Sequence, residues 1–164
     1  MEMKLGVHES LIQQSLDWDF SIDGDAKQIE SEMCNFMINN HGIGLAANQI
    51  GITKRVFTLG NSNILGFPKP FAVFNPRILE YSHEVELFKE GCLSYPGLFL
   101  MIKRPKSILA EYQDSDGNTI TAKMDGLVAR VFQHEYDHLD GVCFVDKVSS
   151  MKLQLAMKKI RKTK

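Results

Sequence analysis

Gln133-His134-Glu135-Tyr136-Asp137-His138-Leu139-Asp140-Gly141 sets two histidines four residues apart, with an acid directly after the first. The run from Gly126 to Leu139 reads as a helix, and Gly141 stands just past its end, where helices stop. A helix turns about 100° per residue, so His134 and His138 lie about 40° apart on one face. Glu135 falls about 60° from His138, on the flank. Metal-assisted hydrolysis needs this pattern: two neutral imidazoles to grip an ion, a carboxylate beside them and an open coordination position. The alternative is a solvated, charged helix face with two incidental histidines. On the same wheel Leu127 and Val131 fall within about 60° of His134, as an apolar floor beside the ion. Arg130 and Asp137 share the opposite flank, where they read as an ion pair orienting the helix or as an ordinary surface pair.

Two histidines need a third ligand. No His or Glu follows His138, so the third must lie upstream. His8, His41, His83 and the three cysteines are the candidates. Cys34 fits the apolar face of a helix and Cys143 a short apolar run, so both read as core. Cys92 differs: it sits in Glu90-Gly91-Cys92-Leu93-Ser94, directly after an apolar strand.

Working outward, Asp25 to Asn40 carries Ile29, Met33, Phe36 and Met37 at helical spacing. Arg55 to Leu59 reads as a strand and Asn61 to Pro70 as a surface loop. Strands are expected at Phe71 to Phe74, Ile78 to Tyr81 and Val85 to Phe88. Ser107 to Tyr112 and Thr119 to Met124 flank Asp116-Gly117 as a hairpin. A short strand at Val142 to Val145 precedes a basic amphipathic helix over 149–164, with Leu153, Met157 and Ile160 as its apolar stripe. The expected fold is α+β: largely antiparallel sheets packed around a central metal-binding helix, with an N-terminal and a C-terminal helix.

The chain has 164 residues with 44% hydrophobic content, which fits one domain, 1–164, with its own core. A formal net charge of −1 argues against wholesale or sequence-specific nucleic-acid binding. Three widely spaced cysteines and no secretory signal point to a reducing, cytoplasmic compartment. No apolar run reaches the length of a membrane span.

Glu90-Gly91-Cys92-Leu93-Ser94 and the His134 motif, together with Gly42-Ile43-Gly44-Leu45-Ala46-Ala47-Asn48-Gln49, resemble peptide deformylases over roughly 25–150. The resemblance implies removal of the formyl group from formyl-methionyl nascent peptides. It implies Cys92, His134 and His138 as ligands of one divalent ion, natively Fe2+, with Zn2+, Ni2+ or Co2+ as occupants in purified protein. Glu135 would be the general acid/base; Gln49 and the Leu93 N–H would donate to the formyl oxygen. Gly44 and Gly91 would present backbone to the peptide, and Ile43 would help line the methionine pocket. Phe88, Leu127 and Val131 are further wall candidates, with plain core packing as their other reading. The sequence departs from the family in lacking a proline near Val7 to Leu11 and in its apolar Gly97-Leu98-Phe99-Leu100-Met101. In bacterial relatives a C-terminal helix is associated with ribosome docking. Here that reading stands beside one of a helix packed on its own domain with a solvated basic end. The chain is expected to act as a monomer. The rival readings are a general H-E-x-x-H peptidase, a non-catalytic relative that binds nascent chains or ribosomes, and a structural metal module.

Overall fold

The computed structural model describes residues 1–6, 8–60 and 64–163, without the side chains of 161–163. The sequence readings at Val7, at 61–63 of the expected loop, and at the charged ends of Arg161, Lys162 and Lys164 lie outside these described residues.

Among the described residues, four helices and seven strands make an α+β fold. A short helix α1 (Glu9–Ile12) precedes α2 (Ala26–Asn39). Asp25 begins α2 by accepting the N–H groups of Lys27 and Gln28 at 2.9 and 3.2 Å, donors that a helix N-terminus otherwise leaves unsatisfied. Strands β1 (Gly44–Ala46), β2 (Val56–Leu59), β3 (Phe71–Tyr81), β6 (Ser107–Gln113) and β7 (Thr119–Asp125) form one antiparallel sheet in the order β1-β2-β3-β6-β7. β4 (Val85–Cys92) and β5 (Tyr95–Pro105) make a separate two-stranded hairpin. Then come α3 (Gly126–Leu139) and α4 (Ser150–Thr163). Among the described residues no helix is long and apolar enough to cross a membrane.

The large sheet is a middle layer. In β2, Val56 and Thr58 face α2, with Met33, Met37 and Phe74, while Phe57 and Leu59 face α3, with Val73, Ile108 and Phe132. Burial on both faces explains why β2 reads as a continuous apolar run instead of an alternating one. Each large side chain so buried contributes roughly 1.5–3 kcal/mol. A third cluster joins Leu98, Leu100 and Ile102 of β5 to Phe144 and α4.

Four expectations are corrected. Phe71 to Phe74 and Ile78 to Tyr81 are one strand, β3, carried past Pro76 by irregular register. Asn75 takes a left-handed φ of 49° there, and its amide brackets the backbone of Trp18 at 2.7 and 2.9 Å. Tyr95 to Pro105, which no strand had been expected to cover, is an eleven-residue strand alternating buried and exposed from Leu98 to Arg104. Val142 to Val145 is no strand: Phe144–Lys147 is a 3-10 turn closed by the Asp146 carboxylate on the Cys143 N–H at 2.8 Å. In α4 the stripe facing the domain is Leu153, Ala156 and Ile160, and Met157 is exposed.

Candidate metal centre and active-site cleft

α3 ends as its sequence predicts. Gly141 takes φ +74°, with hydrogen bonds from Gly141 N to His138 O and from Val142 N to Asp137 O at 3.1 and 2.9 Å. A Cβ at Gly141 would also meet the Ile12 carbonyl at 2.8 Å, so the turn lets the chain pass tightly beneath α1. The Asn48 side-chain amide donates to the His138 carbonyl, tying α3 to the 3-10 turn Ala47–Ile50 that carries Gln49.

The Cys92 sulfur and one ring nitrogen each from His134 and His138 lie within 4.8 Å of one another. The His138 Nε2 is 3.3 Å from that sulfur. The His134 Nδ1 is engaged with Glu90 at 2.9 Å, leaving its Nε2 for a ligand. Donors around one tetrahedral ion, at about 2.0–2.3 Å from it, stand roughly 3.3–3.7 Å apart, so this set of two imidazole nitrogens and one sulfur fits a divalent ion. His8, His41, His83, Cys34 and Cys143 are not part of the group, and Cys34 is buried in the core as expected. Burial opposes a charge on His134, but hydrogen bonds to Cys92 and Glu90 outweigh it and push the ring up to about 10. His138 is driven well below its ordinary value by burial and by the charges of His134 and Arg104. A cation therefore competes with a proton at His134, and binding should release one.

A cleft of about 420 Å³ opens beside the cluster. Ile43, Gly44, Gln49, Gly91, Leu93, Leu127, Val131 and Glu135 all line it, as do Cys92 and His134. Glu135 is 4% exposed, its Oε2 has no hydrogen-bond partner, and burial pushes its carboxyl up to about 7. Gly44 makes room for it: a Cβ there would lie 2.8 Å from Val131 Cγ1 and 2.9 Å from Glu135 Cδ. Gln49 has its amide orientation fixed, since Oε1 accepts the Ala46 N–H at 2.9 Å. Its Nε2 therefore points to the hairpin, donating to Ser94 Oγ at 3.1 Å and to Cys92 Sγ at 3.4 Å.

Phe88 is not on this wall. It is exposed and lies under the Arg130 guanidinium, 5.6 Å from ring centre to Cζ. The aromatic wall is Phe99, which register pairs with Gly91 and whose ring edge sits where a Gly91 Cβ would be, at 2.7 Å. Nor do Arg130 and Asp137 pair with each other. Seven residues of helix separate them by about 10 Å along the axis. Arg104 of β5 reaches both Asp137, at 2.6 Å, and Glu90, at 2.7 and 3.0 Å, while Arg130 meets Glu90 at 2.7 Å. Glu90 is thus a hub that sequence reasoning passed over. Burial works to raise its carboxyl, but hydrogen bonds from His134 and Arg104 hold it far below the usual range. The signal was an acid one residue short of the Cys92 motif's glycine, with an arginine on the buried alternation of β5.

Fold and cleft together define a metal-dependent hydrolase: a carboxylate with a raised affinity for a proton lies in the same cleft as a sulfur and imidazoles spaced to hold an ion. The model of the polypeptide deformylase family matches residues 4–154. The peptide deformylase of Thermotoga maritima is 42% identical over 138 residues, 84% of this chain and 81% of that protein. The structure of a Synechococcus elongatus peptide deformylase in complex with actinonin superposes with a TM-score of 0.89 at 34% identity, covering 98% of this chain and 87% of that one. A Met-Ala-Ser-bound peptide deformylase from Acinetobacter baumannii superposes at 0.81 with 28% identity, over 90% and 98% of the two chains. The chain belongs to the peptide deformylase family.

Proposed function

We propose that this chain removes the formyl group from the N-terminal formyl-methionine of nascent polypeptides, as one catalytic domain over 1–164. The observation that carries the reading is the unpartnered Glu135 Oε2 in a cleft that also presents Cys92 and His134, with His138 beside them. Cys92, His134 and His138 would hold one divalent ion, natively Fe2+, with Zn2+, Ni2+ or Co2+ taking its place in purified protein. When bound, the ion supplies a Lewis acid that acidifies water and polarises a carbonyl.

The rest is the work of side chains. Glu135 accepts a proton from the attacking water as its oxygen bonds to the formyl carbon. The negative charge that builds on the formyl oxygen is met by the Gln49 Nε2 and the Leu93 N–H, each such donor contributing about 10²–10³ in rate. As the carbon–nitrogen bond breaks, Glu135 returns the proton to the leaving amine. The products are formate and a free methionine N-terminus. Ile43, Leu127 and Val131 form the apolar pocket for the methionine side chain, and Gly44 and Gly91 leave backbone open to the peptide. The Met-Ala-Ser seen in the Acinetobacter enzyme is the product form of such a substrate and supports this reading.

The protein is proposed to act as a cytoplasmic monomer. Packing of α4 through Leu153, Ala156 and Ile160 supports a helix docked on its own domain. Ribosome docking is the second reading, supported by seven basic residues and no acid from Lys147 onward. Co-sedimentation with ribosomes that is unchanged by deleting 158–164 would remove it. The central test is an anaerobic assay on formyl-Met-Ala-Ser with metal analysis of the same sample. Formate release in proportion to bound metal is expected; a metal-loaded protein that releases none overturns the proposal.

A further inference from the structure

The His138 ring lies between two thiols. Its Nε2 is 3.3 Å from the Cys92 sulfur and its Nδ1 is 3.8 Å from the Cys143 sulfur. Cys143 is 3% exposed, on the turn that Asp146 closes through the Cys143 N–H. Tyr95, which lines the cleft, lies near the same thiol. Because the two nitrogens occupy opposite edges of an imidazole, the ring stands between Cys143 and any ion held at Nε2. Cys143 is accordingly absent from the ligand group.

A neutral imidazole that offers Nε2 to an ion carries its proton on Nδ1. Carboxylates or backbone carbonyls usually accept that N–H and raise the ring's donor strength. His134 follows the rule through Glu90. For His138 the Nδ1 partner among the described residues is a sulfur, a weak acceptor. We propose that Cys143 is a positioning residue of the metal centre: its sulfur accepts the His138 Nδ1–H, holds the ring in the form that presents Nε2, and makes the two imidazoles unequal donors. Glu90 strengthens His134, and Cys143 leaves His138 the softer grip. The inference rests on the metal-centre reading above.

Cys143→Val keeps the size and removes the acceptor; Cys143→Ser keeps an acceptor. Each is loaded with Co2+, its affinity is read by chelator competition and its ligand-field bands by visible absorption. Cys143→Val should bind about tenfold more weakly, the low end of the range for such partners, with shifted bands. Cys143→Ser should lie closer to the parent in both. Affinity and bands unchanged in Cys143→Val, or equal effects in the two variants, would overturn the proposal. Should the valine variant fail to fold, Cys143→Ala read by the same two measurements decides: a loss of affinity larger than in Cys143→Ser supports the proposal, and parental affinity and bands overturn it. Cys92→Ser runs alongside. Co2+ binding that survives Cys92→Ser sinks the metal-centre reading itself, whereas loss there with no effect at Cys143 removes only this inference.

Discussion

Replacing Glu90 by glutamine keeps the shape of the side chain and removes one buried negative charge. Glu90 is 7% exposed and meets Arg104 at 2.7 and 3.0 Å, Arg130 at 2.7 Å and His134 at 2.9 Å. In the variant Arg104 keeps Asp137, whereas Arg130 keeps the carbonyls of Ile102 and Glu86 at 3.1 and 2.8 Å and the Phe88 ring. Stripping one partner from a buried pair costs about 3–5 kcal/mol, and these surviving acceptors place the loss near the lower bound. At roughly 2–4 °C per kcal/mol for a domain of this size, a cost of about 3 kcal/mol lowers the melting temperature by about 6–12 °C. A glutamine facing His134 offers either a weaker acceptor or an N–H that drives the ring to the wrong tautomer, so metal affinity should fall about 10–100-fold. The pH dependence has a definite sign. A carboxyl held below its ordinary 4.5 stabilises the fold above that value and loses the contribution as pH falls toward its folded-state value. Parent and Glu90→Gln should therefore converge in stability as pH drops below about 4.5. The assay is thermal melting across pH with chelator competition at neutral pH. A variant that melts within about 2 °C of the parent and binds metal equally well would show that the two arginines are satisfied without Glu90.

Glu135→Ala should retain metal and lose at least about 10²-fold in deformylation of a formyl-Met peptide; activity within tenfold of the parent removes the general-base role. With the carboxyl raised to about 7, metal-free protein binds more protons folded than unfolded between about pH 4.5 and 7, so stability should decline across that window. Glu135→Gln should flatten the decline, and an unchanged pH profile by denaturant titration would count against it. Cys92→Ser should sharply lower metal content while Cys34→Ser should not, and equal content by elemental analysis would overturn the ligand choice. Gly44→Ala sets a methyl against Val131 and Glu135; overpacking of this kind costs about 1–3 kcal/mol, and a variant with parental melting temperature and kcat/KM would mean the cleft can yield there.

What the chain discloses in order is what local geometry governs. The two histidines and Glu135 are placed by helical periodicity alone, and the hairpin of β6 and β7 by a turn between two runs of strand formers. The glycine loop, the Cys92 segment and Gln49 were readable because three motifs stand in one order. Asn75 shows where this stops: its left-handed turn is secured by Trp18, 57 residues away, which no local rule reaches. Arg104 was overlooked because β5 was not read as a strand, although Leu98, Leu100, Ile102 and Arg104 alternate on one buried face. Arg130 and Asp137 were paired wrongly because a wheel reports angle and suppresses distance along the axis. Phe88, a wall candidate with core packing as its other reading, lies off the cleft, and the register of β4 on β5 sets Phe99 opposite Gly91 instead.

These omissions share a cause that bears on the chemistry. Cys92 comes from a hairpin and the two histidines from a helix, and among the described residues the hairpin forms no strand pairs with the main sheet. Something must hold the two bodies in register, and apolar packing resists sliding only weakly because it is non-directional. Directional contacts do it: Glu90 joins Arg104 on β5 to Arg130 and His134 on α3, Asp137 takes the free side of Arg104, and Asn48 seizes the far end of α3. Each is costly to bury unpaired, so a shift of the hairpin along α3 is penalised at several points at once. These contacts fix the hairpin that carries the thiol against the helix that carries the imidazoles, and the carboxylate that would do the proton transfer is spared from that network. Among the described residues the hydrogen bonds of Glu90, Arg104, Arg130 and Asp137 are spent on holding hairpin and helix together, and none of those bonds engages the Glu135 carboxylate.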